Sequence, residues 1–495
     1  MMTARGLVAQ LSSMVLSVVI ASLAIVGQTR SVSAATLHVP GSYATIQSAI
    51  DAAMDGDTVL VSAGTYHENI DFLGKGIEVK SESGSLVTTI QGDGIDQVVT
   101  MTSGEPASAI LDGFTITGGF GDFNGGGVEI EESAPTIRNN IITGNTACTG
   151  GGISARKSGA IIEHNVITDN HQAGCFGGTG GGGVFVGAAG TPIIRGNVIT
   201  FNSMGSNGGG LSINAAGDIV VENNLIAYNI AGSTGGGGGV QVVNRSELLL
   251  RQNVIHHNEA PNGEGGGIRW LIPSQEIAVA MASNTIVDNE SKNAGSQVWL
   301  RSLTHSLIIT DNIFSGGTGV LFQCDGPGVT PIPSYNLAFG GTSLYGGLCS
   351  DPTGTNGNLS GDPSYSNALA GNYHIHASSP AVDQGVATPY LTATDFDGLG
   401  RSVDGDGNSV AVVDIGADEW NPDDADLDGI PDGDDACRHA PGPPEYHGCP
   451  EPPPVGGQVH VMTDSGGEAR ALPLMVATIA LAATAYAVSR RIIRR

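Results

Sequence analysis

Residues 125–145 read GGGVEIEESAPTIRNNIITGN, and residues 150–170 read GGGISARKSGAIIEHNVITDN. The second stretch repeats the first 25 positions on, with the glycine triplet, the apolar residue after it and two asparagines kept in place. Working outward, the residue after the triplet recurs as Val128, Ile153, Val184, Leu211, Val240 and Ile268. An asparagine followed two positions later by an apolar residue recurs as Asn140, Asn165, Asn197, Asn224, Asn253, Asn284 and Asn312. Both landmarks step by 25 to 32 residues, so a mere excess of glycine does not explain them.

Burial inside each repeat is predicted to alternate. Three residues before each asparagine stand Ile137, Ile162, Ile194, Val221, Leu250, Met281 and Ile309, and two after it Ile142, Ile167, Ile199, Ile226, Ile255, Ile286 and Phe314. A period of two implies short strands rather than helices. A repeat of about three such strands cannot bury its apolar face alone, whereas stacked repeats share one continuous core. The predicted fold class is all-β, a parallel β-helix of about ten coils and roughly 45 Å length at the usual strand spacing. Glycine and asparagine suit the corners, where φ is positive. A second asparagine row, Asn145, Asn170, Asn202, Asn229, Asn258 and Asn289, follows five residues after the first. Both rows read as hydrogen-bonded structural ladders.

Composition sets the chain's address. Of 495 residues, 76 are glycine, and 20 Lys+Arg face 48 Asp+Glu for a net charge of −28, which argues against nucleic acid as a partner. Residues 1–35 read as a signal peptide, with an apolar run from Met14 to Val26 and small residues Ser33, Ala34 and Ala35 after it. Residues 471–489 read as a membrane-spanning or sorting segment, followed by a basic tail, 490–495, that stays on the cytoplasmic side. The body then faces outward, at the cell surface or in the periplasm. Six cysteines in an exported chain suggest disulfides, in near pairs Cys148 with Cys175, Cys324 with Cys349, and Cys437 with Cys449. Cys148 and Cys175 lie about one coil apart, which fits a staple between turns; free buried thiols are the alternative.

Three resemblances extend this reading. The stretch YATIQSAIDAAMDGDTVLVSAGTYHENI from Tyr43 resembles the N-terminal entry of pectin-lyase-like right-handed β-helices, and the repeats resemble the right-handed parallel β-helix repeat of surface proteins and pectate lyases. That implies a solenoid over 36–320, with Ile46–Ala53 as a helical cap on its open end. Residues 321–420 would hold the final coils and a region that resembles the choice-of-anchor Q domain. The match rests on Asp362-Pro363, Tyr373, Ser379-Pro380-Ala381, Asp383, Gly385, Asp395, Asp397-Gly398, Arg401 and Asp414-Ile415-Gly416-Ala417 with Glu419. Asp404 and Asp406 read as a solvated acidic insertion within it. Residues 421–450, DADLDGIPDGDDAC and its continuation, resemble one thrombospondin type-3 calcium repeat. The resemblance implies Ca2+ held by Asp424, Asp426, Asp428, Asp432 and Asp435 with the Ile430 carbonyl, and closure by Cys437 and Cys449. A Pro/Gly-rich linker, 451–470, leads to the membrane segment.

Function is the least legible property. The residue that follows each of these apolar positions is predicted to point outward, and Glu129, Phe185, Gln241, Arg269 and Trp299 form a candidate glycan-binding strip on that row. Arg138, Glu163, Arg195, Glu222 and Arg251 form an alternating charged row, read as an exposed ion-pair ladder. His164, His171, His256 and His257 read as solvated turn residues. No lyase, pectin esterase or polygalacturonase motif stands out, and no catalytic residue is assigned. The reading is an exported, membrane-anchored scaffold or adhesin, non-enzymatic, contacting polysaccharide, cell-surface glycan or protein partners. The alternative is a polysaccharide lyase or glycoside hydrolase, because two carboxylates on adjacent coils, such as Glu163 with Asp169 or Glu222, suffice for hydrolysis.

Overall fold

The computed structural model describes residues 34–423, except 173–179, 233–234, 244–245, 272–279, 302–306 and 327–330. The signal segment, the calcium repeat, Cys175, Cys437, Cys449 and the C-terminal apolar segment lie outside the described residues. No helix among the described residues is long and apolar enough to cross a membrane.

The middle turns of the rod visit four strand positions. In one turn these are Val128–Glu131, Thr136–Arg138, Ile141–Thr143 and Thr146–Thr149. All pair in parallel with the next turn, Val128 opposite Ile153, Ile137 opposite Ile162 and Ile142 opposite Ile167. The sheet through Ile141–Thr143 stacks 12 strands, and the short one through Thr146–Thr149 stacks 7. The other two sheets join, because the strand Leu211–Glu222 runs through the corner between them. The predicted inward rows are the core: Ile130, Ile137, Ile142, Ile162, Ile167, Ile194, Val221, Ile255 and Trp270 are each buried.

The asparagines form the ladders expected of them. Asn140 Nδ2 donates to Asn165 Oδ1 (3.1 Å), and the relation repeats through Asn197, Asn224, Asn253, Asn284, Asn312, Asn336 and Asn358. The second row runs from Asn145 to Asn289 and ends on Gln297 Oε1 (2.7 Å). The corner itself differs from expectation. The left-handed residue is the one before the asparagine: Asn139, His164, Asn223, Gln252, Ser283 and Asp311 on the first row, and Asp169, Phe201, Tyr228, His257 and Asp288 on the second. The asparagine carboxamide then closes the turn by bonding backbone on both sides, as Asn224 Nδ2 does with Ile194 O and Glu222 O.

The first turn is capped by helix α1, Ile46–Ala52, one residue shorter than expected because Ala53 is already extended. Thr45 and Ser48 form a reciprocal capping box, and the Glu68 carboxylate accepts from the N–H groups of Ile46 and Gln47 at 2.9 Å each. Ile46, Ala49 and Ile50 close the core. Near the other end, Cys324 and Cys349 form the expected disulfide. Cys148 is also disulfide-bonded.

Residues 362–420 do not extend the rod; they fold back onto its flank. Ile375, Ala381, Val382 and Ile415 form a small second core with Ile313 and Leu337, two outward side chains of the last turns. Polar contacts fix the seam. Arg251 Nη1 donates to Tyr390 O (3.0 Å), Val386 N to Asp311 Oδ1 (2.8 Å), and Ala417 N to Thr285 Oγ1 (3.1 Å).

Candidate functional site

The expected glycan strip occupies the outer side of the sheet through Val128–Glu131, in register: Ser154 opposite Phe185, Gln241 opposite Arg269, Arg269 opposite Trp299. It is not an open strip, and this corrects the expectation. Phe185, Gln241 and Trp299 are 5%, 3% and 2% exposed. The cause is the glycine triplet. Its first residue is left-handed, and a Cβ there would lie 2.9 Å from Ser154 Cα at Gly150 and 3.0 Å from Phe185 Cα at Gly181; at Gly295, where only that first glycine is kept, it would lie 2.8 Å from Trp299 Cβ. Each turn thus crosses over the residue four positions ahead of it. Trp299 is further engaged: its Nε1 donates to Asp325 Oδ2 (2.7 Å), and the Arg269 guanidinium lies 5.3 Å from its ring centroid. Glu129, like Arg269, is less covered. It is only partly buried, its Oε2 accepts from Gln97 Nε2, and burial pushes its carboxyl above the usual range against the opposing Asn124 and Gln97 hydrogen bonds.

The charged row is in register from Arg138 through Glu163, Arg195 and Glu222 to Arg251. It resolves into separate pairs in which each arginine reaches back. Arg138 holds Asp112 (3.0 Å) and Glu78 (3.1 Å), Arg195 holds Glu163 (2.6 Å), and Arg251 holds Glu222 (2.6 Å). Glu163 and Glu222, considered for acid–base chemistry, are both engaged by arginine. The histidines divide. His171 faces solvent beside Asp169 (3.0 Å). His256 is buried, which corrects the expectation of a solvated turn residue: Tyr373 of the folded-back module packs on it. Burial, with His257 adjacent, pushes its pKa down to about 3. Tyr228, between Phe201 and His257, completes a stack of rings on the rod's flank.

The module concentrates the molecule's buried acids. Asp395, Asp414, Asp418 and Glu419 are all buried, and Arg401 is the buried cation among them. Arg401 donates to the carbonyls of Asp414, Gly416 and Ala417 and stands 4.0 Å from Glu419. The carboxylates accept mostly from backbone: Asp414 from Asp383 N (2.6 Å) and Trp420 N (2.6 Å), Glu419 from Ser402, Val403 and Asp414 N–H groups. Burial pushes Asp414 and Glu419 upward, the Glu419 charge adds to the effect on Asp414, and burial lifts Asp311 at the seam to about 6.

Two groups in this module have metal-ligand geometry: Asp383 with Asp404 and Asp406, and His374 with Asp397 and Asp418. In the first, all six carboxylate oxygens already accept hydrogen bonds, from Val412, Asp406, Asn408 and Ser409. That agrees with a self-satisfied acidic loop. Sequence reading missed the second group, although His374 directly follows the motif residue Tyr373 and Asp418 lies inside the quoted Asp-Ile-Gly-Ala-x-Glu run. The expected calcium ligands, Asp424 to Asp435, lie outside the described residues.

A family model described as "Right handed beta helix region" matches residues 69–268 and 176–332, together more than half of the chain. Among solved structures, the chain is similar to "Crystal structure of pectate lyase Pel9A" at 13% identity and a TM-score of 0.44, over 79% of this chain and 98% of that one. It is also similar to a mannuronic acid specific polysaccharide family 6 lyase enzyme from human gut microbiota, at 13% identity and a TM-score of 0.30, over 63% of this chain and 82% of that one. No curated protein matches the chain.

Proposed function

The chain belongs to the right-handed β-helix family, and we propose that it is an exported scaffold, held at the membrane by its C-terminal segment, that contacts glycans without cleaving them. The observation that carries this reading is the engagement of the rod's charged row: Glu163 and Glu222, the carboxylates considered for hydrolysis, each hold an arginine. Catalytic carboxylates must flank the glycosidic bond, and these two are turned to the guanidinium groups beside them. On this reading the signal segment, 1–35, directs export, the apolar segment, 471–489, anchors the chain, and Ca2+ on Asp424, Asp426, Asp428, Ile430, Asp432 and Asp435 stiffens the stalk between them.

One observation favours a second reading, a polysaccharide-active enzyme. Glu129 is the carboxylate of the outer row whose burial raises its pKa, which is what a proton donor to a leaving sugar requires. One experiment separates the two. The full exported chain is offered an array of plant, algal and bacterial polysaccharides, with and without calcium, and read for retention and for new reducing or unsaturated ends. Retention without products supports the scaffold. Products that vanish in Glu129→Gln establish the enzyme and overturn it.

A further inference from the structure

We propose that His374, Asp397 and Asp418 form a binding site for a divalent transition-metal cation of the zinc class, which ties together three separate segments of the folded-back module. The three side chains each offer one ligand atom, and these atoms all lie within 4.8 Å of one another. Donors around a single ion at about 2.0–2.2 Å fall inside that limit. The segments are distinct: His374 sits on the strand Asn372–Ile375, Asp397 on the turn organised by Asp395, and Asp418 at the end of the motif run.

The case rests on how these groups are, and are not, satisfied. His374 Nδ1 lies 2.6 Å from Asn372 Oδ1, and a carboxamide oxygen can only accept, so that nitrogen carries hydrogen. The other nitrogen, Nε2, faces Asp397 Oδ2 at 2.8 Å, a second acceptor. A cation has to stand on that side, either a proton or a metal. Metal-binding histidines characteristically have the opposite ring nitrogen fixed by a hydrogen bond, as Asn372 does here. Asp418 supplies an independent observation. It is 9% exposed, its Oδ2 accepts from Ile375 N (2.8 Å), and its Oδ1 meets no hydrogen-bond donor among the described residues. That leaves the second oxygen of a nine-tenths-buried carboxylate open to a cation, which would complete it. The Asp383–Asp404–Asp406 group has no such vacancy.

Chemistry selects the cation class. One imidazole nitrogen with two carboxylates suits zinc or its neighbours, whereas calcium and magnesium take oxygen sets. His374 and Asp397 keep side-chain exposures of 24% and 25%, which leaves an entry path from solvent. The consequence is mechanical. The strand that carries His374 also carries Tyr373, which packs on His256 and lies 3.2 Å from His257 Nδ1. A bound ion would fasten that contact, and with it the module, to the rod.

The test uses the full exported chain stripped of metal and then given zinc ion alone. Equilibrium dialysis compares the native chain with His374→Ala, Asp397→Asn and, as a control, Asp404→Asn. The native chain and Asp404→Asn should retain one zinc more than His374→Ala, and Asp397→Asn should bind at least about tenfold more weakly. X-ray absorption at the zinc edge should show one imidazole and oxygen ligands. Asp397→Asn replaces the most exposed ligand with a near-isostere, so it reports even if His374→Ala fails to fold. Equal zinc retention by the native chain and Asp397→Asn overturns the proposal and leaves a plain histidine–aspartate ion pair. So does a sulfur-containing or multi-histidine edge spectrum.

Discussion

Along the rod, the two buried polar ladders that link turn to turn are amides; in the module on its flank the buried polar cluster is built of carboxylates. Asn253 both accepts from Asn224 and donates to Asn284, so each turn completes the one before it and is completed by the next. An amide carries donors and acceptors on one neutral group, and a ladder of amides can lengthen without accumulating charge. A carboxylate only accepts. Asp414, Glu419 and Asp395 therefore need backbone N–H groups brought from elsewhere in the module, and they leave net negative charge for Arg401 to offset. The rod's solution is local and repeatable, while the module's depends on one assembled arrangement and on pH.

The sharpest way to break this comparison is inside the ladder. Asn253→Leu removes the acceptor for Asn224 N and Nδ2 and the donor to Val221 O, Arg251 O and Asn284 Oδ1. Several buried partners then lose their bonds, for an expected cost on the order of 4 kcal/mol. Hydrogen exchange should show protection falling in the turns on both sides of residue 253, because neighbouring turns stabilise one another. Protection unchanged outside that one turn would show that the ladder is not cooperative.

In the module the matching experiment is Arg401→Ala. The side chain is 1% exposed and holds three carbonyls beside Glu419. Removing one partner from a buried charged set typically costs about 3–5 kcal/mol. The expected outcome is release of 362–420 from the flank, with Thr285, Ile313 and Leu337 uncovered and the ladder turns from 140 to 253 still protected. Limited proteolysis reads this directly. Simultaneous loss of the rod would show that the two regions fold as one unit.

A smaller, graded difference should follow pH. Asp311 is raised from 3.8 to about 6 in the folded chain, chiefly by burial. The folded state therefore holds that proton more tightly than the unfolded chain does. Its stabilising effect is complete below about pH 4 and is lost as pH rises through about 6. Asp414, also pushed upward by burial and then by the charge of Glu419, carries the loss to higher pH. His256 acts in the opposite sense, since its lowered pKa makes acid unfavourable, but above its ordinary 6.5 it is neutral in both states. Between pH 6.5 and 8.5 the module should open more readily as pH rises, while the asparagine turns, which do not titrate there, stay level. Exchange rates at residues 372–375 against those at residues 224–227 test it, and Asp414→Asn should flatten the slope.

Much of the rod was legible because its determinants recur. Val128, Asn140 and Asn145 each return once per turn, so one sequence contains many copies of the same evidence. The covering of the outer row was not, although its spacing is regular: a glycine at Gly181 crosses Phe185 only because the left-handed turn brings the chain back over it. The module's docking was hidden for a different reason. Arg251 meets Tyr390 across 139 residues, and Gln252 meets Thr394 across 142, with no periodic signal on either side. The burial of His256 has the same origin: Tyr373, more than a hundred residues away, packs on it.

The weakest effect is expected where the two regions most resemble each other, in the rod's own charged row. Glu163 and Glu222 pair with Arg195 and Arg251 at 2.6 Å, but the side chains of Arg195 and Arg251 stay 43% and 20% exposed. Water and salt screen such pairs, so Glu163→Gln should change stability by about 0–1 kcal/mol, less at high ionic strength. Glu222→Gln should cost slightly more. Its partner Arg251 also donates to Tyr390 O in the module, so losing Glu222 loosens the anchor on which that donor depends. Melting curves of the two variants at low and high salt measure the difference. Equal effects would mean that Arg251 holds the module without help from Glu222, and that the seam rests on Asp311, Thr285 and the shared apolar contacts.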